Sequence, residues 1–495
     1  MENLKRYDSI CVMKVICAGY NIDIESIKAL EKGDACNLSA LTPETISAAY
    51  ARISRDPRPI NELRGDARKE VEKSRKSNET IIFGMGHSSV AEHAVFNIDI
   101  IGISRLALEA LEKFRLASFT EKSQRYITLD NDYVLPKEIE DLGFAPLFRD
   151  TITLQNNFYH KAFKQLKDYI WDKNKELAGD PKNKTLLEGW AKEDARYITS
   201  LAAHGQVGMT VNARALENML RRFSASKFEE VRELGKKLYN ETKHVAPSIV
   251  RYTDPTLYEQ DIENGAQKIS CREFERAQSA NAVHLIAYDK GADSYIIGAL
   301  LYKNSGCSYD ACFEKAAAMS EQEREAVVKS ALKNLEAYNT LPREFEYVSL
   351  TYELIVSAAC FGQLKRHRMA TITCQDYNPA LGVTIPKSIT ESGLENEFKS
   401  IIEKTEAAYN TIAKQNQSAA EYILTNAHKR RVLFKTNLRE LSHISRLRED
   451  KHAQWDIQNI AREMAKKAKE TMPAASMLIC GKDKFKGKKE EIYKQ

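Results

Sequence analysis

The sequence has no apolar run of the ~18–20 residues that a membrane-spanning helix needs; the longest candidate, Tyr295–Tyr302, is far too short. No apolar stretch follows the charged opening MENLKRYDSI, so no secretory signal is expected. The nine cysteines are odd in number and include no C-x-x-C pair; the closest two, Cys307 and Cys312, lack a histidine or second pair at zinc spacing. Inert thiols in a reducing, cytoplasmic compartment are expected, with no metal site. An excess of one charge is missing too: 74 basic against 69 acidic residues leave +5, too little to announce a nucleic-acid surface. The basic stretch Arg366–Arg368 and the lysine-rich end lack the interleaved aromatics on which bases would stack.

What is present is material for a core. Of 495 residues 43% are hydrophobic and 29% charged, which excludes a disordered or fibrous chain and points to about three domains or two large ones.

The chain repeats itself. Asn212–Leu234 (NARALENMLRRFSASKFEEVREL) aligns without a gap on Asn437–Asn459 (NLRELSHISRLREDKHAQWDIQN). Both open on Asn-x-Arg, with Leu216 or Leu441 four residues on and Arg221 or Arg446 nine on. The apolar spacing predicts a helix in each, N-capped by the asparagine. Arg214, Asn218 and Arg221 then share one side of the first helix, and Arg439, His443 and Arg446 one side of the second. Upstream, Ile103–Tyr126 matches Ser357–Asn378: an apolar helix, a basic cluster and an extended polar run. Strands with period-two alternation are expected before each, at Ala91–Ile101 and Glu344–Ile355, and opening strands at Met13–Tyr20 and Ala282–Tyr288. The expected organisation is a first repeat over 1–253, a linker over 254–274, a second repeat over 275–480 and a frayed basic tail over 481–495. Asp150–Glu193 reads as a helical insertion peculiar to the first half.

In the extended run Thr120–Tyr126, alternation would send Glu121, Ser123 and Arg125 to one side, a set suited to a hydroxylated, phosphorylated small molecule. Arg366-His367-Arg368 behind Gln363 gathers cations that repel unless an anion lies among them.

These motifs resemble the flavin-dependent thymidylate synthases, the ThyX family. Gly86-His87-Ser88-Ser89-Val90-Ala91-Glu92-His93 matches the family's leader; Arg115, Ser118, Ser123, Arg125 and Tyr126 match the later part of its R-H-R-x-x-S-x-N-x-x-S-x-R-Y signature. Ala195-Arg196 and Asn212-Ala213-Arg214 match the following helix. In the second half Arg366-His367-Arg368, Asn437, Arg439, Arg448 and His452-Ala453-Gln454-Trp455 match. Each half departs from the family where the other keeps it. The first has Ala110, Lys113, Phe223 and Lys227 in place of the glutamine, the first signature arginine, the uracil-side arginine and the flavin-side histidine. The second has Cys374, Asp376, Asn378 and Glu421 where the first has Glu121, Ser123, Arg125 and Arg196.

The resemblance implies an α/β (α+β) fold of two tandem repeats, each a mainly antiparallel sheet packed with helices. It implies reductive methylation of deoxyuridylate (dUMP) with FAD as cofactor and methylenetetrahydrofolate and NADPH as co-substrates, at composite sites between the repeats. Glu121, Ser123, Gln124, Arg125, Arg196, Gln363, Arg366 and Arg448 are the implied substrate residues; Ser123 and Arg448 are the catalytic candidates, Ser123 as a positioner rather than a nucleophile. Ser89, Glu92, Arg366, His367, Arg368, Asn212, Arg214, Asn218, Asn437, Arg439 and His452 are the implied cofactor residues. The family's tetramer implies a homodimer of pseudo-tetrameric arrangement, with neither nucleic acid nor membrane as partner. A flavin- and folate-dependent pyrimidine hydroxymethylase and a degenerate paralogue that only binds are the alternatives.

Overall fold

The computed structural model describes residues 13–33, 38–129, 131–251, 253–258 and 281–494, so the linker expected over 254–274 lies, from 259 on, outside the described residues. Among the described residues no helix is long and apolar enough to cross a membrane.

The repeat is visible as two four-stranded antiparallel sheets of identical order. The first holds β1 (Lys14–Tyr20), β2 (Val95–Ser104), β3 (Ala117–Glu121) and β4 (His204–Asn212), ordered β1-β2-β4-β3. The second holds β5 (Val283–Tyr288), β6 (Ser349–Ser357), β7 (Thr371–Cys374) and β8 (Lys429–Asn437), ordered β5-β6-β8-β7. Alternation makes each strand one-sided: Phe96, Ile98 and Ile100 are buried on β2, Leu350, Tyr352 and Leu354 on β6. The central strands start later than expected. Ser88–His93 is a 3-10 helix, and Asn21 satisfies both the His93 carbonyl (2.9 Å) and the Val95 N–H (2.8 Å) where the ladder begins. Arg343–Glu346 is likewise a 3-10 turn before β6.

Asn212 and Asn437 cap the helices Ala213–Ser224 and Leu438–Arg448, accepting from the N–H groups of Ala215 and Glu440. The expected insertion is smaller than 150–193. Pro136 and Pro386 precede matching short helices 250 positions apart, whereas Arg196 and Glu421 are 225 apart, so the first half carries 25 extra residues. The helix Ala145–Lys173 has its counterpart in Glu395–Ala413, and the additional chain lengthens it and extends the counterpart of the short helix Gln417–Ala420 into Lys184–Ala195. The basic tail is not frayed: Phe485–Lys494 is a helix whose Phe485 is buried under the Arg446 guanidinium (3.8 Å) and whose Tyr493 hydroxyl donates to the Lys329 carbonyl. One apolar side chain and one cation–π contact outweigh the solvated lysines.

The halves meet about a local two-fold. Ser200 bridges Thr425, its own counterpart. The flanking bonds are reciprocal: Leu201 N–H to the Leu424 carbonyl and Asn426 N–H to that of Thr199, then Ala202 N–H to Tyr422 and Ala427 N–H to Tyr197. Each half also lends a tyrosine to the other. Tyr422 donates to Glu230, which accepts from the helix-capping Ser104, and Tyr197 donates to Asp456, which accepts from the corresponding Ser357. Burial pushes the Glu230 carboxyl up to about 6 against those donors. Two dry clusters flank the ladder, one joining Phe158 and Tyr197 to Phe398 and Ala427, the other Leu106 and Phe148 to Tyr409 and Tyr422.

A two-fold places corresponding residues face to face. Glu112 and Lys365 correspond, 253 positions apart like Ser104 and Ser357, and stand 2.8 Å apart with side chains only 6% and 5% exposed. Identical halves would bury two like charges there; this chain buries an ion pair. Reversing one charge, by Glu112→Lys or Lys365→Glu, should cost about 3–5 kcal/mol in chemical denaturation, and the double swap should recover more than half of it. A double variant as unstable as either single one would show that the pairing is not what the interface selects.

Candidate functional site

β3 carries the first half's contribution to this interface and ends at Glu121, opposite Val207. The extended run expected through Tyr126 stops there. The Ser123 hydroxyl accepts from the Arg125 N–H (3.2 Å), and Tyr126 and Ile127 fold back on the Ser123 carbonyl, making a turn. Glu121, Ser123 and Arg125 are therefore neighbours in a strand-to-turn corner, not alternate residues of one strand. Gln124 is buried in that corner, accepting from Asn426 of the second half.

Opposite the corner stand the second half's residues. Arg366 approaches the Glu121 carboxylate at 3.6 Å and Lys365 at 4.0 Å, while Arg105 reaches it at 3.7 Å from below. Arg125 pairs with Glu193 (2.8 Å) and donates to the His452 carbonyl (3.3 Å). Arg448 donates to the Gln363 carbonyl (3.2 Å), and the Gln363 amide meets Gln454, which donates to the shared Tyr197 hydroxyl. Arg196 lies beneath, buried, with Nε and Nη2 bonded to nothing among the described residues. Six cations, Arg105, Arg125, Arg196, Lys365, Arg366 and Arg448, thus face three carboxylates, Glu112, Glu121 and Glu193, with the buried Asp194 and Asp456 acting on Arg196 from further off, which leaves the cations in excess.

That excess is felt by its members. Burial, then repulsion from Arg366 and Arg125, pushes the Arg448 guanidinium down to about 10. Burial chiefly, with Arg105 and Arg125 adding to it, also lowers Arg196. Glu121 goes the other way: burial opposes its charge, but Lys365, Arg105, Arg366 and Arg196 together hold the carboxyl below its ordinary range. Depressed cations beside orphaned buried donors are what an anion would relieve.

The Arg-His-Arg cluster avoids its own repulsion by dispersal. Arg366 turns to Glu121; Arg368 crosses to the carbonyls of Arg115 and Ala117 in the first half. His367 is buried, and burial keeps its ring below the usual histidine range. Its Nε2 accepts from Arg448 Nε (3.0 Å) and its Nδ1 faces Glu440 (3.4 Å), so a neutral ring aims the arginine.

The second slot is closed. Lys227 Nζ sits between Asp376 (2.7 Å) and Glu421 (2.6 Å). Arg430 pairs with Glu109 (2.9 Å) and lies over the Tyr377 ring, whose hydroxyl donates to the same Glu109. Asn378 caps the turn at Ala380, Phe223 is buried edge-on to Phe114, and Cys374 is half-buried beside them. Three cations here, Lys227, Arg430 and the exposed Lys113 that bears on Cys374, face three carboxylates, so this slot has no positive excess.

The implied cofactor residues fall into two groups. Ser89, Glu92, Arg214 and Asn218 are exposed where β4 ends, Arg214 pairing with Glu92; Asn212 is used as a cap. That end lies five residues from Val207, about 17 Å along the strand from Glu121. Arg366 and His452 are exposed at the pocket itself. Asn437 is a cap, and Arg439 is consumed by the Leu341 carbonyl, Thr340 and Glu346. Arg446 is buried on Phe485, so the second helix has no open polar stripe like that of Arg214 and Asn218. Exposed guanidinium, amide and imidazole donors in both groups suit the phosphates and ring edges of a dinucleotide. Sequence reasoning missed Arg105, Glu112, Glu193 and Lys365. A charge at one of two aligned positions with its opposite, or nothing, at the other was the available signal.

The chain belongs to the family described as thymidylate synthase complementing protein, whose family model matches residues 38–248 and again 284–474. Among the relatives, a flavin-dependent thymidylate synthase of Clostridium tetani is 30% identical over 235 residues, covering 46% of this chain and 88% of its own. A UPF0159 protein of Chlamydia muridarum is 24% identical over 425 residues, covering 82% and 80%, and one of Thermoplasma acidophilum 23% over 478, covering 87% and 94%. The UPF0159 proteins thus parallel both halves, and the Clostridium enzyme parallels about one.

Lys227→Met should leave Glu421 buried without its cation and destabilise the chain by about 1–3 kcal/mol. Burial already raises the Glu421 carboxyl and Lys227 counters it, so the folded state gains proton affinity in the variant. The loss should therefore be largest above neutrality and shrink as pH falls and Glu421 protonates. Thermal melts across pH check the sign; a loss that grows toward acid would contradict it.

Proposed function

We propose that this chain binds deoxyuridylate in the pocket between its halves and catalyses its flavin-dependent reductive methylation, one site per chain. The observation that carries the reading is the concentration there of Arg125, Arg196, Arg366 and Arg448 with Glu121, drawn from both halves and leaving cations in excess. A dianionic phosphate neutralises most of that excess, and bidentate arginine contacts fix its orientation. Family membership and the Clostridium relative support a flavin and a uracil nucleotide as the reactants' class.

In this reading Arg125, Arg196 and Gln363 hold the phosphate, and Glu121 accepts from a sugar hydroxyl. Arg448, aimed by neutral His367, stabilises negative charge developing on the uracil carbonyl. Ser123 positions substrate: its hydroxyl is engaged by the Arg125 N–H, and the bonds at this corner include no base for it. FAD, when bound, supplies the hydride. It would be held by Arg366 and His452 at the pocket and by Ser89, Glu92, Arg214 and Asn218 at the end of the sheet. Methylenetetrahydrofolate and NADPH are the proposed carbon donor and reductant, and cytoplasm the proposed location. Because the two flavin-side groups lie far apart along one sheet, a second copy of the chain is the proposed means of joining them, in a pseudo-tetrameric homodimer.

Arg125→Ala and Arg448→Ala should each weaken deoxyuridylate binding by about ten- to 150-fold, each removing a charge-assisted contact of about 1.5–3 kcal/mol. Asn378→Ala and Phe223→Leu, at the corresponding positions of the other slot, should leave it intact. Calorimetric titration should saturate near one nucleotide per chain; two per chain, or equal losses from both pairs, would overturn the single-site reading. Incubation with the flavin, folate and reductant should give the methylated nucleotide. A hydroxymethyl product would reassign the reaction, and nucleotide binding without turnover would indicate a paralogue that only binds.

A further inference from the structure

Arg105 belongs to none of the motifs, yet it occupies the floor of the pocket. It starts the helix Arg105–Leu111 directly after Ser104, whose side chain caps that helix and is held by Glu230. Its side chain is 3% exposed and crosses the local two-fold, Nη2 donating to the carbonyl of Ala358, which is its own counterpart (2.8 Å). From there Nη1 faces Glu121 (3.7 Å), and Nε has no hydrogen-bond partner among the described residues.

The second half makes room for it. A Cβ on Gly362 would come within 2.2 Å of Arg105 Nη2, and Gly362 directly precedes Gln363. The corresponding positions are reversed in kind: where the second half has Ala358 and Gly362, the first has Arg105 and Glu109. The guanidinium of one half therefore fills a gap in the helix of the other. The groups that face Glu121 are then Arg105 from below, Lys365 and Arg366 from the second half's helix end, and Arg196 from the turn after Ala195. Of these, Lys365 is shared with Glu112 and Arg366 is exposed, which leaves Arg105 as the buried cation at ion-pair distance from Glu121 without a closer carboxylate.

We infer that Arg105 is a positioning residue of the nucleotide site: through the gap at Gly362 it fixes the Glu121 carboxylate in the charged, hydroxyl-accepting state. This rests on the proposed binding of deoxyuridylate. Removing Arg105 withdraws one of four cations and lets burial raise the Glu121 carboxyl, which is now held low. Protonation then removes the acceptor at a higher pH than in the unmodified chain.

The test is deoxyuridylate affinity of the full-length chain across pH, for Arg105→Met, Gly362→Ala and the double variant, with thermal melts as a control for folding. In Arg105→Met the fall in affinity toward acid should begin at a higher pH than in the unmodified chain, so that the gap widens as pH drops through the carboxylate range, approaches about tenfold only at the acid end of that range, and is far smaller at alkaline pH. Gly362→Ala should displace the guanidinium and reproduce that profile. Added to Arg105→Met it should change little, because the clash is gone. A pH-independent loss in Arg105→Met, or Gly362→Ala acting equally in both backgrounds, would reduce Arg105 to a structural residue and overturn the inference. Failure of the unmodified chain to bind deoxyuridylate would instead overturn the functional reading on which it rests.

Discussion

Everything at the site depends on one constraint: a duplicated chain folded about a local two-fold brings corresponding residues together, and those residues need not be alike. The reciprocal ladder through Ser200 and Thr425 fixes that axis in backbone hydrogen bonds. Once it is fixed, every position near it is a choice between matching and complementing. Glu112 with Lys365 complements, as does Arg105 with the space at Gly362. Tyr197 with Tyr422 matches, and so each half keeps the same carboxylate–serine–tyrosine contact.

The same freedom separates two slots that identical halves would make equal. One gathers cations whose charges are depressed by burial and by each other. The other has replaced Ser123, Arg125 and Arg196 with Asp376, Asn378 and Glu421, and has brought in Lys227 to neutralise the result. A buried ion pair of this kind contributes little net stability, but it commits Lys227 to carboxylates and so withholds it from a phosphate. The asymmetry between the slots is thus electrostatic before it is steric.

Much of this was legible in the sequence because it is local. The Asn212 and Asn437 caps and the one-sided strands follow from spacing, and the split of the arginines shows once both halves are set against the family's motifs. The turn at Ser123 was not, since a hydroxyl accepting from a backbone N–H two residues on competes with extension and leaves no periodic mark. Nor was the docking of the lysine-rich tail, which hinges on Phe485 finding Arg446. Arg105 and Lys365 were invisible for a different reason: their roles exist only across the interface, between segments some 250 residues apart.

A crystal structure of the chain soaked with deoxyuridylate tests the central claim most directly. The account predicts one nucleotide per chain, its phosphate among Arg125, Arg196 and Gln363 and its base toward Arg448, with Lys227 still bonded to Asp376 and Glu421. A nucleotide in the Lys227 slot, or one held within a single half, would contradict it.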